Sequence, residues 1–269
     1  MSLTYRDLHS LDDLRPVPEV ERAVWGMSDI ELVPTSLLLV SVKCGGLVIG
    51  AFDGEGLVGF TYSFPGYRHG TRLHWSHMTG VLGPYRGAGV GLKLKRLQRE
   101  RVLQQDCDLI EWTYDPLQAA NAHFNFSKLG VVVREYVNDV YGETESPLHR
   151  GAPTDRFIAQ WWLRGPMAER DEAPAGPPLA EPPVANPMRL EGRWWVCDED
   201  VPLPSCAWFR VAVPPHFTSM LTDAPDLARG WRLATRSLFS RALAAGHVVV
   251  GFEPDPATGG GCYVLQRRT

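Results

Sequence analysis

A short run of glycines beside an arginine is the part of the sequence best suited to bind a ligand. It reads Arg86-Gly87-Ala88-Gly89-Val90-Gly91, between an apolar stretch that ends near Leu82 and a stretch with helical spacing. Glycines let the backbone approach a ligand closely, and the first amides of a helix point unpaired N–H groups outward. An anion is the natural occupant of such a helix start, and Arg86 adds a charge that can pair with a phosphate oxygen.

Other phosphate-binding loops fit these glycines less well. A P-loop requires Gly-Lys-Ser/Thr, whereas Gly91 is followed by Leu92. A dinucleotide fingerprint, Gly-x-Gly-x-x-Gly, has a different final spacing and is not preceded by an antiparallel hairpin. Two alternatives stay open at this point: a dinucleotide site with NAD as its ligand, and a plain turn between a strand and a helix.

The elements around the loop follow from the spacing of apolar residues. Helical patterns cover 19–25 and 35–43, where Thr35 is a candidate N-cap. Two apolar runs, 47–52 and 57–62, flank a glycine-containing turn and predict a hairpin. The remaining pattern predicts, in order, a strand, a helix, a strand, a helix and a strand over 73–82, 89–105, 109–113, 118–129 and 131–136. The predicted order is ααβββαβαβ, which indicates a mixed α+β fold.

A change of composition divides the chain. Residues 165–187 are rich in Pro, Ala, Gly and Glu, and such a stretch buries too little apolar surface to offset its ordering entropy. We therefore predict a first domain over 1–164, a linker over 165–187 and a smaller α+β domain over 188–269. In this last part the pattern predicts strands and one long helix, over 208–213, 227–245, 248–252 and 263–266.

The loop and the order of elements resemble the GNAT superfamily of N-acyltransferases over roughly 4–163. Arg86 to Gly91 is similar to the GNAT motif Arg/Gln-x-x-Gly-x-Gly/Ala, which lies between a strand and a basic helix. The resemblance implies a mixed, mainly antiparallel sheet flanked by helices, here followed by an α+β extension, and an acyl-coenzyme A co-substrate such as acetyl- or succinyl-coenzyme A. It assigns the pantetheine to Val81 and Leu82, and the pyrophosphate to Arg86, Gly87, Ala88, Gly89, Val90, Gly91 and Leu92.

A second part of the resemblance is a strand followed by a helix that ends at a glycine. It covers 109–116 and 121–130, and it implies cofactor contacts from Asn121, Phe124 and Lys128. Many members carry, four residues before this glycine, a tyrosine that protonates the departing thiolate. Here that residue is Phe126, which has no proton to donate. The substitutes are Tyr114, Tyr136 and Tyr141, and a coenzyme A thiolate is also able to leave without protonation.

Several segments, including 112–117, 141–142, 153–156 and 231–232, are similar to a long-chain GNAT subgroup. Some members of that subgroup are associated with N-succinylation of amino acids. The resemblance therefore implies a small-molecule primary amine, such as an amino acid, as the acceptor.

Aminolysis of a thioester needs a route for the amine proton. We predict His77 as the base, because it lies nine residues before Arg86 on the strand that often supplies a GNAT base, and we predict opposite strand faces for His74 and His77. Asp115 follows a strand and can hold an ammonium or cap the next helix. Tyr141 is a candidate acid. Glu111 is a second candidate base or an exposed strand residue, and Arg156 binds a substrate carboxylate or, as we favour, pairs with an acid on the surface.

Composition narrows the function further. The net charge of −4 provides no basic field for nucleic acid or for an anionic membrane, and no apolar run is long enough to span a bilayer. Five scattered cysteines lack metal-ligand spacing, so we predict reduced thiols, no metal and a cytoplasmic protein. A homodimer stays open. The competing class is a non-catalytic module that senses acyl-coenzyme A or binds a partner, which Phe126 favours.

Overall fold

The protein has a mixed α+β fold with a mainly antiparallel sheet flanked by helices and further α+β structure towards its end, as the sequence predicts. The computed structural model describes residues 3–142, 153–164 and 181–268. These residues form two compact units, Met1–Trp112 and Thr113–Thr269. The predicted domains 1–164 and 188–269 therefore stay a prediction, and the compact units divide at a different point.

The first unit contains the predicted hairpin and the glycine loop. Its elements are β1 (Thr4–Asp7), α1 (Leu11–Leu14), α2 (Val17–Trp25), α3 (Thr35–Lys43), β2 (Leu47–Asp53), β3 (Gly56–Arg68), β4 (Thr71–Val81), α4 (Val90–Gln104) and β5 (Leu109–Tyr114), of which β5 runs on into the second unit. The strands follow the order β1-β2-β3-β4-β5, and only β4 and β5 are parallel.

In the first unit, both faces of the sheet formed by β1 to β5 are covered by apolar contacts. Leu14, Val20 and Leu38 from α1, α2 and α3 belong to a core cluster with Phe60 of β3. On the other face Val90 and Leu94 of α4 pack against β2 and β3. The two layers are what hold β4 and the following loop in place.

The second unit begins at the end of β5. Its elements are α5 (Ala119–His123), β6 (Val132–Val137), β7 (Arg156–Trp162), β8 (Arg189–Glu191), β9 (Trp194–Val196), β10 (Trp208–Val213), α6 (Phe217–Asp223), α7 (Pro225–Ala244), β11 (His247–Pro254) and β12 (Gly261–Arg267). A five-stranded part of the sheet runs β7-β6-β11-β12-β10, and β8 pairs with β9 apart from it.

Some expectations differ from the structure. The elements that were not predicted are β1, α1, β7, β8, β9 and α6. The expected helix over 118–129 is α5 followed by a π-helical turn over Phe124–Lys128. The N-cap prediction is wrong, because Thr35 is the first helical residue and Pro34 occupies the cap. Of the predicted linker, 165–180 lies outside the described residues. The end of that linker is ordered, since Val184 bridges to Arg210 of β10.

Candidate functional site

The glycine loop turns the chain from β4 into α4. Gly87 and Gly89 both have φ of 78°, in the left-handed region that favours glycine. The first helical hydrogen bond runs from the Lys93 amide to the Gly89 carbonyl at 3.0 Å, and no side-chain hydrogen bond caps this end of α4. The amides at the start of α4, those of Val90, Gly91 and Leu92, are therefore free of helical partners and able to bind an anion.

Arg86 lies at the exposed side of the loop. Its Nε donates a hydrogen bond to the Val81 carbonyl at 2.9 Å, so the guanidinium is anchored beside the end of β4. The Leu82 amide donates to Val58 of β3, and the Leu82 carbonyl accepts from Tyr85. In an antiparallel strand, the backbone N–H and C=O groups of successive residues point to opposite edges. Because Leu82 faces β3, the backbone groups of Val81 point to the other edge of β4, on the side of β5. Of the two residues predicted for the pantetheine, Val81 is thus the better placed.

Strands β4 and β5 pair at only two positions, His74 with Ile110 and Trp75 with Glu111. Strand β4 continues six residues past the second pair, to Val81. Its edge beyond Trp75 has no registered pair with β5 among the described residues. Such an edge can take an extended ligand as an added strand.

A buried lysine marks the point where the pairing stops. Lys95 of α4 places its Nζ 3.0 Å from the Ser76 Oγ, 2.6 Å from the Gln98 Oε1 and 4.0 Å from the centre of the Trp112 ring. Ser76 directly follows Trp75, and Trp112 directly follows Glu111, which form the last pair between β4 and β5. Burial lowers the pKa of Lys95 to about 7. We did not predict this group, because Lys95 follows Leu94 in a helix rich in basic residues.

The predicted base, His77, lies at an irregularity of β4. Tyr62 pairs with Met78 and Ser63 with Ser76, so His77 is the extra residue of a bulge. Its ring meets Tyr62 edge-on at 5.7 Å and lies 6.1 Å from Phe64. His77 is exposed on the strand, and partial desolvation of its ring beside these aromatic side chains lowers its pKa below 6.5, which favours the neutral imidazole at pH 7.

The other histidine of β4 has different neighbours. His74 is buried, with its Nε2 2.9 Å from the Gln105 Oε1 and its Nδ1 3.3 Å from the Ser63 Oγ. The two histidines therefore contact different residues of β3: Ser63 lies beside His74, whereas Tyr62 and Phe64 lie beside His77. Glu111, the second candidate base, is buried rather than exposed, and Arg68 donates to it at 2.6 Å.

Glu21 is a second titratable residue of this unit that we did not predict. Glu21 of α2 is fully buried; its Oε2 accepts from the Val33 amide at 2.9 Å, while its Oε1 has no hydrogen-bond partner among the described residues. Burial raises the pKa of Glu21 to about 7. The pKa of Tyr62 is raised mainly by burial and, to a smaller extent, by the charge of Glu21. The carboxyl of Glu21 therefore lies near the tyrosine that contacts His77.

The remaining predicted cofactor residues lie in the second unit. Asn121 and Lys128 are exposed and Phe124 is partly buried, at positions i, i+7 and i+3 of two successive helical turns. Phe126, at the usual tyrosine position, is instead buried and meets Tyr263 edge-on at 5.8 Å. The aromatic ring at that position thus serves the core.

Asp115 is held by an arginine from α7. Both of its carboxylate oxygens accept from Arg232, at 2.8 and 2.7 Å, and Oδ1 also accepts from the Leu117 amide at 2.9 Å. Burial raises the pKa of Asp115, but the adjacent Arg232 charge outweighs it and leaves the pKa below its ordinary value. Asp115 does not cap α5, whose N-cap is Gln118 without a side-chain hydrogen bond, and its carboxylate is engaged by Arg232. Arg156, expected at the surface, is buried, with 8% exposure.

Of the three tyrosines considered as acids, Tyr141 is the exposed one. It is 56% exposed, and its hydroxyl lies 3.1 Å from the Thr113 Oγ1. Tyr114 is buried, and Tyr136 donates to the Asp155 Oδ2 at 2.7 Å. A solvent-accessible phenol at the end of β5 is thus available only from Tyr141 among these three.

Comparison with known proteins identifies the fold. No family model and no curated protein matches this sequence. A member of the GNAT acetyltransferase family from Desulfovibrio desulfuricans is similar in structure, with a TM-score of 0.50 and 14% identity over 61% of this chain and 100% of its own. The yncA protein of Salmonella typhimurium, solved with its cofactor acetyl-CoA, has a TM-score of 0.49 and 18% identity over 67% and 100% of the two chains. The chain therefore has the GNAT fold.

Two further observations concern the described residues only. None of their helices combines the length and apolar character needed to cross a membrane. They contain no group of three or more His, Cys, Asp or Glu side chains arranged to hold a metal ion.

Proposed function

We propose that this protein is an N-acyltransferase that moves an acetyl or succinyl group from coenzyme A to the primary amine of a small molecule, in particular an amino acid. The observation that carries the proposal is the uncapped start of α4 behind Gly87 and Gly89, next to the edge of β4, which has no registered pair with β5 beyond Trp75 among the described residues. One feature binds a diphosphate and the other an extended pantetheine.

The cofactor is assigned to the predicted loop. Arg86 and the backbone from Gly87 to Leu92 bind the pyrophosphate, and Val81 pairs with the pantetheine. The dinucleotide alternative loses support because, although β4, α4 and β5 form a parallel βαβ unit, β1 to β4 are antiparallel, whereas a dinucleotide fold is built on a mostly parallel sheet.

In the chemical step, His77 accepts the proton of the attacking amine. Its lowered pKa leaves it neutral near pH 7, and the bulge at His77 aims its ring at the aromatic pair Tyr62 and Phe64. Tyr141, the exposed one of the three tyrosines considered, stays the predicted acid. Asp115 holds Arg232 and is kept from proton transfer by its lowered pKa.

The test is release of free thiol from acetyl- and succinyl-coenzyme A with a panel of amines and amino acids. Turnover with at least one amine supports the proposal. Binding of the acyl-coenzyme A without turnover across the panel would favour a sensor, for which the buried Phe126 is the specific argument.

The role of His77 has its own test. The activity of the wild type should fall as the pH drops through the lowered pKa of His77, below 6.5, because the imidazole then becomes charged and stops accepting protons. His77→Ala should lose this acidic limb, whereas His74→Ala should keep it. An acidic limb that survives in His77→Ala would remove His77 from this role.

A further inference from the structure

A carboxyl group lies inside the apolar core of the first unit. Glu21 is fully buried on α2, and Val17 and Val24, one turn to either side of it, contribute to the core cluster that contains Tyr62. Residues three or four positions apart share one face of a helix. Glu21 therefore faces the same core as Tyr62 of β3.

The hydrogen bonds of Glu21 leave half of the carboxyl unused. Its Oε2 accepts from the Val33 amide at 2.9 Å, while its Oε1 is buried without a partner among the described residues. An amide side chain at this position would accept the same hydrogen bond from Val33 and would avoid the cost of burying a group that ionises. The contact with Val33 alone therefore does not account for a carboxyl at this place.

The charged groups around Glu21 supply no resident counter-ion. The pKa of Glu21 is raised by burial and lowered only by the Val33 amide. Helix α2 packs against β3 and β4, from which Tyr62 and His77 are the titratable groups on this side. His74 of β4 instead contacts Gln105. The charged residues of α2, of the segment after it and of the end of α3 are exposed: Glu19, Arg22, Asp29, Glu31 and Lys43.

Tyr62 lies between Glu21 and the proposed base. Its hydroxyl is 2.6 Å from the Ser41 Oγ, and its ring meets the His77 ring edge-on at 5.7 Å. The charge of Glu21 helps to raise the pKa of Tyr62, so this charge acts at least as far as the tyrosine. Charges are weakly screened inside an apolar core.

The two titratable groups ionise in a useful order. Desolvation lowers the pKa of His77 below 6.5, whereas the pKa of Glu21 is about 7. Glu21 is therefore still protonated and neutral where His77 titrates, which agrees with desolvation being the cause of the His77 shift. Above pH 7 the carboxyl is ionised while His77 is neutral. A proton taken up by His77 then creates a cation near an existing anion.

We propose that Glu21 is a positioning residue of the reaction: its carboxylate, acting across Tyr62, stabilises the imidazolium that His77 becomes when it takes the proton of the amine. An opposite charge close to an imidazole favours its protonated form. The inference rests on the proposed function and on the role given there to His77, and it adds a buried residue that tunes the base without contacting the substrate.

The experiment compares the wild type with Glu21→Gln, which imitates the protonated carboxyl and keeps an acceptor for the Val33 amide. The kcat is measured by thiol release at pH 6 and pH 8.5 with saturating acetyl-coenzyme A and the best amine acceptor. At pH 6 the two proteins should have equal kcat, since Glu21 is then mostly protonated. At pH 8.5 the kcat of Glu21→Gln should be about three- to tenfold lower, because the anion is missing. The KM for acetyl-coenzyme A should not change.

Two controls separate this effect from a loss of structure. Glu19→Gln removes a carboxylate from an exposed position of the same helix and should match the wild type at both pH values. In the His77→Ala background, Glu21→Gln should lower kcat at neither pH, because the group on which it acts is gone. The substitution also removes a buried charge, so unfolding at pH 8.5 is not an alternative cause of a lower kcat.

Either of two results would overturn the inference alone. One is a ratio of wild-type to Glu21→Gln kcat that is the same at pH 6 and pH 8.5, whether or not the ratio is one, because a structural contact does not depend on the ionisation of Glu21. The other is an effect of Glu21→Gln that persists undiminished in His77→Ala. Failure of the wild type to acylate any amine would instead sink the proposed function itself.

Discussion

Replacing the buried carboxyl of Glu21 should change how the stability of the protein depends on pH. Burial raises the pKa of Glu21 from 4.5 to about 7, so the folded chain binds a proton that the unfolded chain has lost between these values. Stability from this group is therefore fully present below about pH 4.5 and is lost as the pH rises towards 7. Raising the pKa of Glu21 from 4.5 to about 7 corresponds to about 3 kcal/mol of free energy of unfolding.

Glu21→Gln imitates the protonated side chain, and it keeps an oxygen for the Val33 amide. The variant and the wild type should differ little in free energy of unfolding at pH 4.5. At pH 8.5 the variant should be more stable by about 3 kcal/mol. The measurement is urea denaturation at both pH values, and the change of the difference with pH is the quantity of interest. Glu19→Gln, at an exposed position of the same helix, is the control. A Glu21→Gln difference that is the same at both pH values would refute the reasoning.

Three further substitutions test other parts of the account. Arg232→Met should lower the free energy of unfolding by roughly 3–5 kcal/mol, because it leaves the carboxylate of Asp115 buried without its counter-ion. Adding Asp115→Asn should restore part of that loss in urea denaturation. A double variant that recovers no stability would contradict this role of the pair. Lys95→Met should exceed the wild type in free energy of unfolding, and by more at pH 6 than at pH 9. Burial lowers the pKa of Lys95 from 10.5 to about 7, so between these values the unfolded chain binds more protons than the folded chain. A gain in free energy of unfolding that is independent of pH would argue against a desolvated amine. Gly89→Ala should destabilise the protein by about 1–2 kcal/mol in thermal unfolding and weaken acetyl-coenzyme A binding, because an alanine is strained at positive φ, whereas Gly83→Ala, at a position without positive φ, should do neither.

The elements that the sequence predicts best are those with long, regular apolar spacing. Strand β2 and helix α4 lie within one residue of their predicted bounds, since their apolar positions repeat with the period of the element. Strand β3 begins where it was predicted but runs six residues further, to Arg68. Strand β1 and helix α1 have four residues each, which is too short for a period to show. Strand β7 begins with a charged residue, Arg156, so its start resembles a surface turn.

The groups that were missed at the site are charged residues on buried faces. Glu21 lies four residues after Val17 and one after Val20, so helical spacing alone places it on the apolar side of α2. The same pattern places Arg232 beside Trp231 and Ala228 on the inner face of α7. The partners of these charges, Asp115 among them, are distant in sequence. Pairing over such distances depends on the tertiary structure, and a single sequence provides no sign of it.

The loop from Arg86 to Leu92 is tested most directly by isothermal titration of acetyl-coenzyme A into the wild type and Arg86→Ala. We expect the wild type to bind acetyl-coenzyme A and Arg86→Ala to bind it roughly tenfold or more weakly, because a charge-assisted contact to the diphosphate is removed. S-acetylpantetheine, which has the thioester but no diphosphate, should bind both proteins equally. Equal affinity of the two proteins for acetyl-coenzyme A, or no binding of any acyl-coenzyme A to the wild type, would contradict the assignment of this loop.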